Sequence, residues 1–255
     1  MDLGISDRVA LVMAASKGIG RGIAAALAAE GARVAISSRS PERIEETARA
    51  LAGETGGEIH PFAADTSDLD SLPGLVDDVR QTVGAVEILV TNTGGPPIGE
   101  SLAFERSDWE AAYRSLVLAP MILIQAVAGP MREAGWGRIV NVTSISTKEP
   151  IPGLVLSNSH RLAAVGAFKT LAVELARDGV LVNSVAPGRI ATDRIASNMG
   201  KPLEEIASQP QPDVPVGRLG TVDEFAAAAV FLCSEPASYI CGVNLLVDGG
   251  LARGI

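Results

Sequence analysis

Short apolar runs alternate with helix-forming segments along the whole chain, and this alternation constrains the fold more than any other feature. Each apolar run has the length of a strand and is followed by a segment with helix signals. When a helix carries the chain from one strand to the next, the strands run parallel and the helices cover both faces of the sheet. Because no linker or internal repeat divides the 255 residues, the pattern predicts a single α/β domain, 1–255.

The same pattern predicts the limits of the elements. The predicted strands are 9–13, 33–37, 58–64, 86–90, 138–142, 180–185 and 245–247. A serine or threonine in front of a helical segment is a typical N-cap. On this basis, helices are predicted to start from caps at Ser40, Ser67, Ser107 and Thr221. The proline-rich segment 194–216 is predicted to be a flexible lid.

The composition argues against several classes of function. The net charge of −9 disfavours binding to nucleic acid or to an anionic membrane, since both need clustered Lys and Arg. Cys233, Cys241 and only two histidines give no disulfide framework and no metal-ligand spacing, so no metal is predicted. The longest apolar run, 116–124, is too short to span a bilayer, and the N-terminus has no signal-peptide pattern. We therefore expect a cytoplasmic protein.

A glycine-containing turn, A-A-S-K-G-I-G at 14–20, connects the first predicted strand to the first helix. Gly18 and Gly20 allow a ligand to approach the backbone closely, and the N-terminus of the helix can hold a pyrophosphate. The alternative is that a strand-to-helix turn simply needs glycine. The position of the turn in the first strand–helix unit favours a nucleotide site.

Ser38 and Arg39 follow the second strand, where a dinucleotide-binding fold reads the adenosine ribose. An acidic residue there accepts a hydrogen bond from the ribose 2′-hydroxyl, whereas an arginine suits a 2′-phosphate. Lys17 adds a second positive charge nearby. Together they predict that NADP(H) is preferred over NAD(H). The alternative is that both are solvated surface cations.

A serine, a histidine and an arginine are predicted to face one crevice. Ser144 emerges from the strand 138–142 at its carboxyl end, the usual place for chemistry in an open α/β sheet. Ser157, His160 and Arg161 lie on the following helix at spacings of three and four, and so share one face. This arrangement predicts a polar active site.

Several motifs, in order along nearly the whole chain, resemble those of the short-chain dehydrogenase/reductases, and among them the 3-oxoacyl-(acyl carrier protein) reductase-like members. Residues 14–20 are similar to the family's T-G-x-x-x-G-x-G turn, with Ala14 where its first glycine stands. T-N-T-G at 91–94, N-S-V-A-P-G at 183–188 and L-V-D-G-G at 246–250 resemble three further motifs.

The resemblance implies a Rossmann-type, doubly wound parallel sheet flanked by helices. It also implies an NAD(P)-dependent oxidoreductase that acts on the carbonyl or alcohol of a small-molecule substrate, and a homotetramer assembled through two long helices and the last strand. The cofactor contacts that it implies come from Ala14, Ser16, Lys17, Gly18, Ile19, Gly20, Arg39, Asp65, Thr66, Asn92, Gly94, Arg161, Pro187, Gly188, Ile190 and Thr192.

Three of the family's four catalytic positions differ in this chain. The family uses Asn, Ser, Tyr and Lys, and only Ser144 matches. Ser157 stands in place of the tyrosine, Arg161 in place of the lysine and Leu116 in place of the asparagine. A serine hydroxyl is too weak an acid to replace the tyrosine, and an arginine stays protonated and cannot relay a proton. His160 is then the candidate proton donor, because histidine titrates near neutral pH.

Tyr113 is an alternative proton donor, and Tyr239 is predicted to pack near a subunit interface.

Three functions fit the sequence. The first is an NADP-preferring oxidoreductase with an altered proton donor, which we favour. The second is a nucleotide-binding homologue without redox turnover, acting as a sensor or partner subunit. The third is a non-redox enzyme such as a halohydrin dehalogenase, but those enzymes keep the tyrosine and give up the nucleotide turn, the reverse of this chain.

Overall fold

Seven strands form one parallel sheet in residues 1–254, which are the residues that this computed structural model describes. In chain order they are β1 Val9–Val12, β2 Arg33–Ser38, β3 Ile59–Ala63, β4 Ile88–Thr91, β5 Gly137–Val142, β6 Val180–Pro187 and β7 Asn244–Val247. In space they follow the order β3-β2-β1-β4-β5-β6-β7. The predicted Rossmann-type fold is confirmed, and each predicted strand overlaps an observed one.

Helices cover both faces of this sheet. They are α1 Gly18–Ala29, α2 Pro41–Thr55, α3 Leu72–Thr82, α4 Arg106–Tyr113, α5 Ala119–Ala134, α6 Val155–Leu175, α7 Asp193–Met199, α8 Leu203–Ser208 and α9 Val222–Leu232. On one face, Leu27 of α1 and Phe225 of α9 belong to the same buried apolar core. On the other face, Leu123 of α5 and Phe168 of α6 belong to a second core.

The strand order reverses direction at β1, and this determines where a ligand can enter. β1 pairs with β2 on one side and with β4 on the other. Connections that leave the carboxyl ends of β1 and β4 therefore diverge, which opens a crevice at that edge of the sheet. All four residues of β1 are buried, as expected for a central parallel strand covered on both faces.

Two of the four predicted helix caps are confirmed. The hydroxyl of Ser40 accepts a hydrogen bond from the backbone N–H of Arg43 at 3.3 Å, at the start of α2. At the start of α9, the hydroxyl of Thr221 accepts from the N–H of Glu224 at 3.1 Å, and the Glu224 carboxylate accepts from the N–H of Thr221 at 2.8 Å. This reciprocal pair is a capping box.

The other two predicted caps are wrong. Ser67 does not start a helix, because a 3₁₀ turn intervenes and α3 begins at Leu72, followed at once by a proline that suits the first helical turn. Ser107 already lies inside α4. The cap there is Glu105, whose extended backbone ends the preceding loop and whose N–H donates to the Asp108 carboxylate at 3.0 Å.

Residues 106–134 form one long helical segment in which a π-helical stretch, Arg114–Leu118, joins α4 to α5. By length and composition this segment could cross a membrane. However, Leu123, Val127 and Met131 are buried in the core beside the sheet, and core helices of globular domains pass the same test.

Candidate active site

The turn between β1 and α1 is tight and strained. Ala14 has a φ of 49°, in the left-handed region that costs a residue with a Cβ about 1–2 kcal/mol. Asn92, just past β4, donates from Nδ2 to the Ala14 carbonyl oxygen at 3.3 Å. A Cβ at Gly20 would lie 2.5 Å from the same oxygen. Glycine is therefore required at position 20, while alanine at position 14 is tolerated at a cost.

The N-terminus of α1 meets the crevice with uncapped N–H groups. The N-cap is Lys17, whose side chain makes no capping bond, and Gly18 follows with a φ of 57°. The carbonyl of Ser16 accepts from the hydroxyl of Thr47 at 3.2 Å, which anchors the turn to α2. Free N–H groups and the positive end of the helix dipole suit an anion, so the segment from Ser16 to Ile19 fits a pyrophosphate.

The residues predicted to read the ribose lie at the end of β2. Arg39 is exposed and forms no ion pair within residues 1–254. The hydroxyl of Ser38 is buried without a hydrogen-bond partner among the described residues. Lys17, predicted to act with Arg39, instead donates to the carboxylate of Asp193 at 3.0 Å. The structure therefore leaves Arg39 open to a ligand and connects Lys17 to the segment after β6.

Three further predicted contacts lie on the same edge of the sheet. Asp65 and Thr66 follow β3, and the Asp65 carboxylate accepts from the N–H of Ser67 at 2.9 Å. Gly94 follows β4, and a Cβ placed on it would meet no atom within 4 Å. The space above Gly94 is therefore open, which suits a position beside a cofactor.

The segment after β6 returns to the glycine turn. β6 ends at Pro187, and Gly188 follows. The side chain of Ile190 is buried, and the Thr192 hydroxyl donates to its carbonyl at 3.3 Å. The methyl group of Thr192 lies 3.6 Å from the position that a Cβ of Gly18 would occupy. Among these predicted contacts, Thr192 therefore stands next to the N-terminus of α1.

Ser144 and Arg161 both lie at the carboxyl end of β5. The Ser144 hydroxyl accepts from the N–H of Ser146 at 3.1 Å. Arg161 reaches back from α6, and its Nη1 donates to the carbonyl oxygen of Val142 at 2.8 Å. Ser157, one helical turn before Arg161, is buried. The predicted serine and cation are thus brought to the same strand end.

His160 faces a different neighbour. Its ring packs against Trp109 and Tyr113 of α4, with centroid distances of 5.7 and 6.4 Å. Its Nδ1 lies 2.8 Å from the carbonyl oxygen of Leu156. Within the described chain, no hydrogen bond connects His160 to Ser144. The structure therefore does not bring the predicted proton donor into contact with the serine.

Leu116, which is predicted to stand in place of the family's asparagine, lies inside the π-helical stretch Arg114–Leu118 and is buried. Single π-helical turns are frequent at functional sites. Here the turn presents an apolar side chain, which cannot hold the water that an asparagine could bind.

Arg194 is a cation of the site that the sequence reasoning missed. Its Nη2 donates to the carbonyl of Pro96, in the loop after β4, at 3.0 Å. Burial, and in second place the charge of Arg194, lower the pKa of the Arg161 guanidinium to about 10, so Arg161 is charged at neutral pH. No motif marks position 194, because its role depends on how α7 folds back over the loop after β4.

Comparison with known proteins identifies the family. A family model described as enoyl-(acyl carrier protein) reductase matches residues 13–252. The chain belongs to the short-chain dehydrogenase/reductase family. It is 34% identical over 251 residues to the 3-oxoacyl-(acyl carrier protein) reductase FabG of Aquifex aeolicus, a match that covers 98% of this chain and 100% of that protein. It is 33% identical to the D-threitol dehydrogenase of Mycolicibacterium smegmatis, over 98% of this chain and 94% of that protein.

Solved structures of short-chain dehydrogenase/reductases have the same fold. The L-sorbose reductase from Gluconobacter frateurii, complexed with NADPH and L-sorbose, gives a TM-score of 0.92 at 31% identity and covers 100% of both chains. These relatives are oxidoreductases, which supports an NAD(P)-dependent dehydrogenase or reductase. Their names give different substrates, so family membership alone does not identify the substrate.

Proposed function

We propose that this short-chain dehydrogenase/reductase is an NADP(H)-dependent oxidoreductase that acts on the carbonyl or alcohol group of a small molecule, in the cytoplasm, with an altered proton donor. The observation that carries the proposal is that the Ser144 hydroxyl and the cation of Arg161, which donates to the Val142 carbonyl, both lie at the carboxyl end of β5. The uncapped N-terminus of α1 lies at the same edge of the sheet. One site thus has a hydroxyl, a cation and an anion-binding helix end.

The cofactor, when bound, supplies or accepts a hydride. The Ser144 hydroxyl donates a hydrogen bond to the substrate carbonyl and orients it. The fork of Arg161 binds hydroxyls of the cofactor ribose and offsets the negative charge that develops on the carbonyl oxygen. The proton comes from water in the space that Ser157 leaves where the family has a tyrosine ring, or from His160 if its ring turns from Trp109 and Tyr113 toward the crevice. Loss of a positioned acid costs about 10²–10⁴-fold in rate, so we expect slow turnover.

Cofactor choice depends on Arg39 in this proposal. An exposed arginine without a carboxylate partner can bind a 2′-phosphate in a charge-assisted, bidentate contact. Isothermal titration should show that NADPH binds about tenfold or more tightly than NADH. Arg39→Ala should remove this preference, and the control Arg49→Ala, at an exposed position inside α2, should keep it. Equal affinities in the native protein, or an unchanged preference in Arg39→Ala, would contradict the proposal.

The second candidate is a nucleotide-binding protein without redox turnover. Ser157 favours it because a serine hydroxyl is a weak acid, and Leu116 favours it because a leucine cannot hold a water. Oxidation of NADPH over a panel of ketones, and reduction of NADP⁺ over the matching alcohols, separates the two candidates. Turnover of any pair supports the oxidoreductase. NADPH binding without turnover supports the second candidate.

A further inference from the structure

Within the described chain, Arg194 is the one basic residue between 189 and 224 that has no carboxylate partner. The others form ion pairs: Arg189 with Asp213 at 3.1 Å, Lys201 with Glu205 at 2.7 Å and Arg218 with Glu224 at 2.6 Å. The chain carries an excess of acidic residues, with a net charge of −9. Arg194 is exposed and lies beside the candidate active site, so its guanidinium is accessible to an anionic ligand.

The nearest acidic residue along the chain is used elsewhere. Asp193 precedes Arg194, but its carboxylate accepts from Lys17 at 3.0 Å. Arg194 turns instead to the loop after β4, where its Nη2 donates to the Pro96 carbonyl at 3.0 Å. A Cβ at Gly95 would lie 2.5 Å from the same Nη2. The absence of a side chain at Gly95 therefore makes room for the guanidinium.

Arg161 and Arg194 together place two positive charges at the carboxyl ends of β4 and β5. Arg161 donates once, to Val142, and Arg194 donates once, to Pro96. A guanidinium has five N–H donors, so each retains donors that can reach a ligand. Within residues 1–254 neither guanidinium forms an ion pair with a carboxylate, and the charge of Arg194 helps to lower the pKa of Arg161.

We propose that the substrate of this site carries an anionic group, a carboxylate or a phosphate, and that Arg194, with Arg161 beside it, binds that group. The inference rests on the proposed function, because it names the substrate class of the same site. Two oxygens that share a negative charge match the fork of a guanidinium and bind it in two parallel hydrogen bonds. Arg194 then acts as the residue that determines specificity, and it holds the anion while the carbonyl meets Ser144.

Matched pairs of ketones test this inference. Acetoacetate and acetoacetamide present the same carbonyl and differ in charge, and dihydroxyacetone phosphate and dihydroxyacetone form the corresponding phosphate pair. In the native protein, kcat/KM with NADPH should favour the anion of at least one pair by about tenfold or more. The pair that shows the preference tells whether the group is a carboxylate or a phosphate.

Variants assign the preference to Arg194. Arg194→Met should bring the ratio of the two kcat/KM values close to one, mainly through a higher KM for the anion, and Arg194→Lys should restore part of it. Gly95→Ala, which displaces the guanidinium without removing its charge, should lower the ratio as well. The matched control is Arg218→Met, since Arg218 is already paired with Glu224, and it should leave the ratio unchanged.

Binding keeps the inference testable if turnover is absent. Isothermal titration of the NADP⁺-saturated protein with the same four compounds should show tighter binding of an anion, weakened by Arg194→Met. That result without turnover would support the inference and contradict the proposed function. Turnover without a preference for either anion would support the proposed function and contradict the inference. If no anion is preferred in either measurement, or if Arg194→Met keeps the preference, the inference is wrong.

Discussion

Ala14 holds a backbone conformation that its own side chain disfavours. Its φ is 49°, and the carbonyl that it orients accepts from Asn92. Glycine adopts this conformation without steric cost, although it loses more entropy on folding. We expect Ala14→Gly to raise the free energy of unfolding by about 0.5–1 kcal/mol, measured by urea denaturation.

The neighbouring residue provides the control for this prediction. Ala15 lies in the same turn and is fully buried, but its φ is negative. Ala15→Gly should lower the free energy of unfolding by about 1–2 kcal/mol, because the entropic cost of glycine adds to the loss of a buried methyl group. A loss of stability in Ala14→Gly as large as that in Ala15→Gly would show that position 14 is not strained.

Ser157 and Arg161 offer a gain-of-function prediction. If the crevice keeps the family's geometry, Ser157→Tyr combined with Arg161→Lys should raise NADPH-dependent carbonyl reduction on the order of 10²-fold or more. Ser157→Tyr alone should do less, because the phenol pKa then stays nearer ~10. Leu116→Asn should add a smaller gain. Initial rates of NADPH oxidation measure all three.

His160→Gln is measured beside these variants. If the native protein reduces a carbonyl through His160, this substitution abolishes the activity, and if water supplies the proton it does not. An active native protein that is insensitive to His160→Gln, together with a double variant that gains nothing, would show that Ser157 and Arg161 do not line the reacting crevice.

At the scale of single residues, the sequence predicted what motifs encode and missed what tertiary packing decides. The strain at Ala14 and the role of glycine at position 20 follow from the local turn, and the structure shows both. Arg194 belongs to no motif, and its place depends on α7 packing over the loop after β4. The spacing of residues along α6 could not predict the orientation of His160 either, because its ring packs against Trp109 and Tyr113 of α4.

Helix starts show the same distinction at the scale of elements. Thr221 and Ser67 each stand three residues before an acidic residue, and only Thr221 caps a helix. The pattern alone does not say whether the backbone at the cap is extended and followed by helix, and at Ser67 a 3₁₀ turn intervenes. Strands were predicted more reliably, because burial on both faces demands continuous apolar runs.

Substitutions at Thr221 and Ser67 test this difference as a matched pair. Thr221→Ala should lower the free energy of unfolding by about 1 kcal/mol, because it leaves an N–H of α9 without its acceptor. Ser67→Ala should change it little, since Ser67 contributes only backbone groups to the hydrogen bonds described for it. Thermal unfolding of both variants measures the difference, and equal losses would mean that Thr221 does not act as a cap.

The pH dependence of the α9 cap has a defined sign. A hydrogen bond from Arg218, followed by one from the backbone of Thr221, lowers the pKa of the Glu224 carboxyl to about 2. A lowered carboxyl pKa stabilises the folded state above the unfolded value of about 4.3, and this contribution disappears as the pH falls toward 2. The stability difference between the native protein and Glu224→Gln should therefore shrink between about pH 5 and pH 2.

At the scale of the whole molecule, one side of α6 suggests self-association. Leu162 and Val173 are 55% and 73% exposed, and Gly166 has open space around it. Ala164, on the same helix, is buried within the chain and does not belong to this side. Tyr239 is fully exposed, so it does not pack inside this chain. These residues favour the homotetramer that the family resemblance implies.

Light scattering tests the assembly. The native protein should be a tetramer at micromolar concentration, and Val173→Glu should dissociate it, because a charge would be buried in the interface. Leu102→Glu, at a fully exposed position in the loop before α4, is the control and should leave the mass unchanged. A native protein that is monomeric at this concentration would contradict the prediction.

Hydride transfer is the central claim, and its most direct test follows an isotope. Reduction of a ketone panel, the charged ketones included, is run with NADPH that carries deuterium at C4 of the nicotinamide, and the alcohol is analysed by mass spectrometry. We predict that the product gains one deuterium on the former carbonyl carbon, from only one of the two faces of the nicotinamide ring. NADPH that binds tightly while no labelled alcohol forms, in the native protein and in the Ser157→Tyr, Arg161→Lys double variant, would contradict the account.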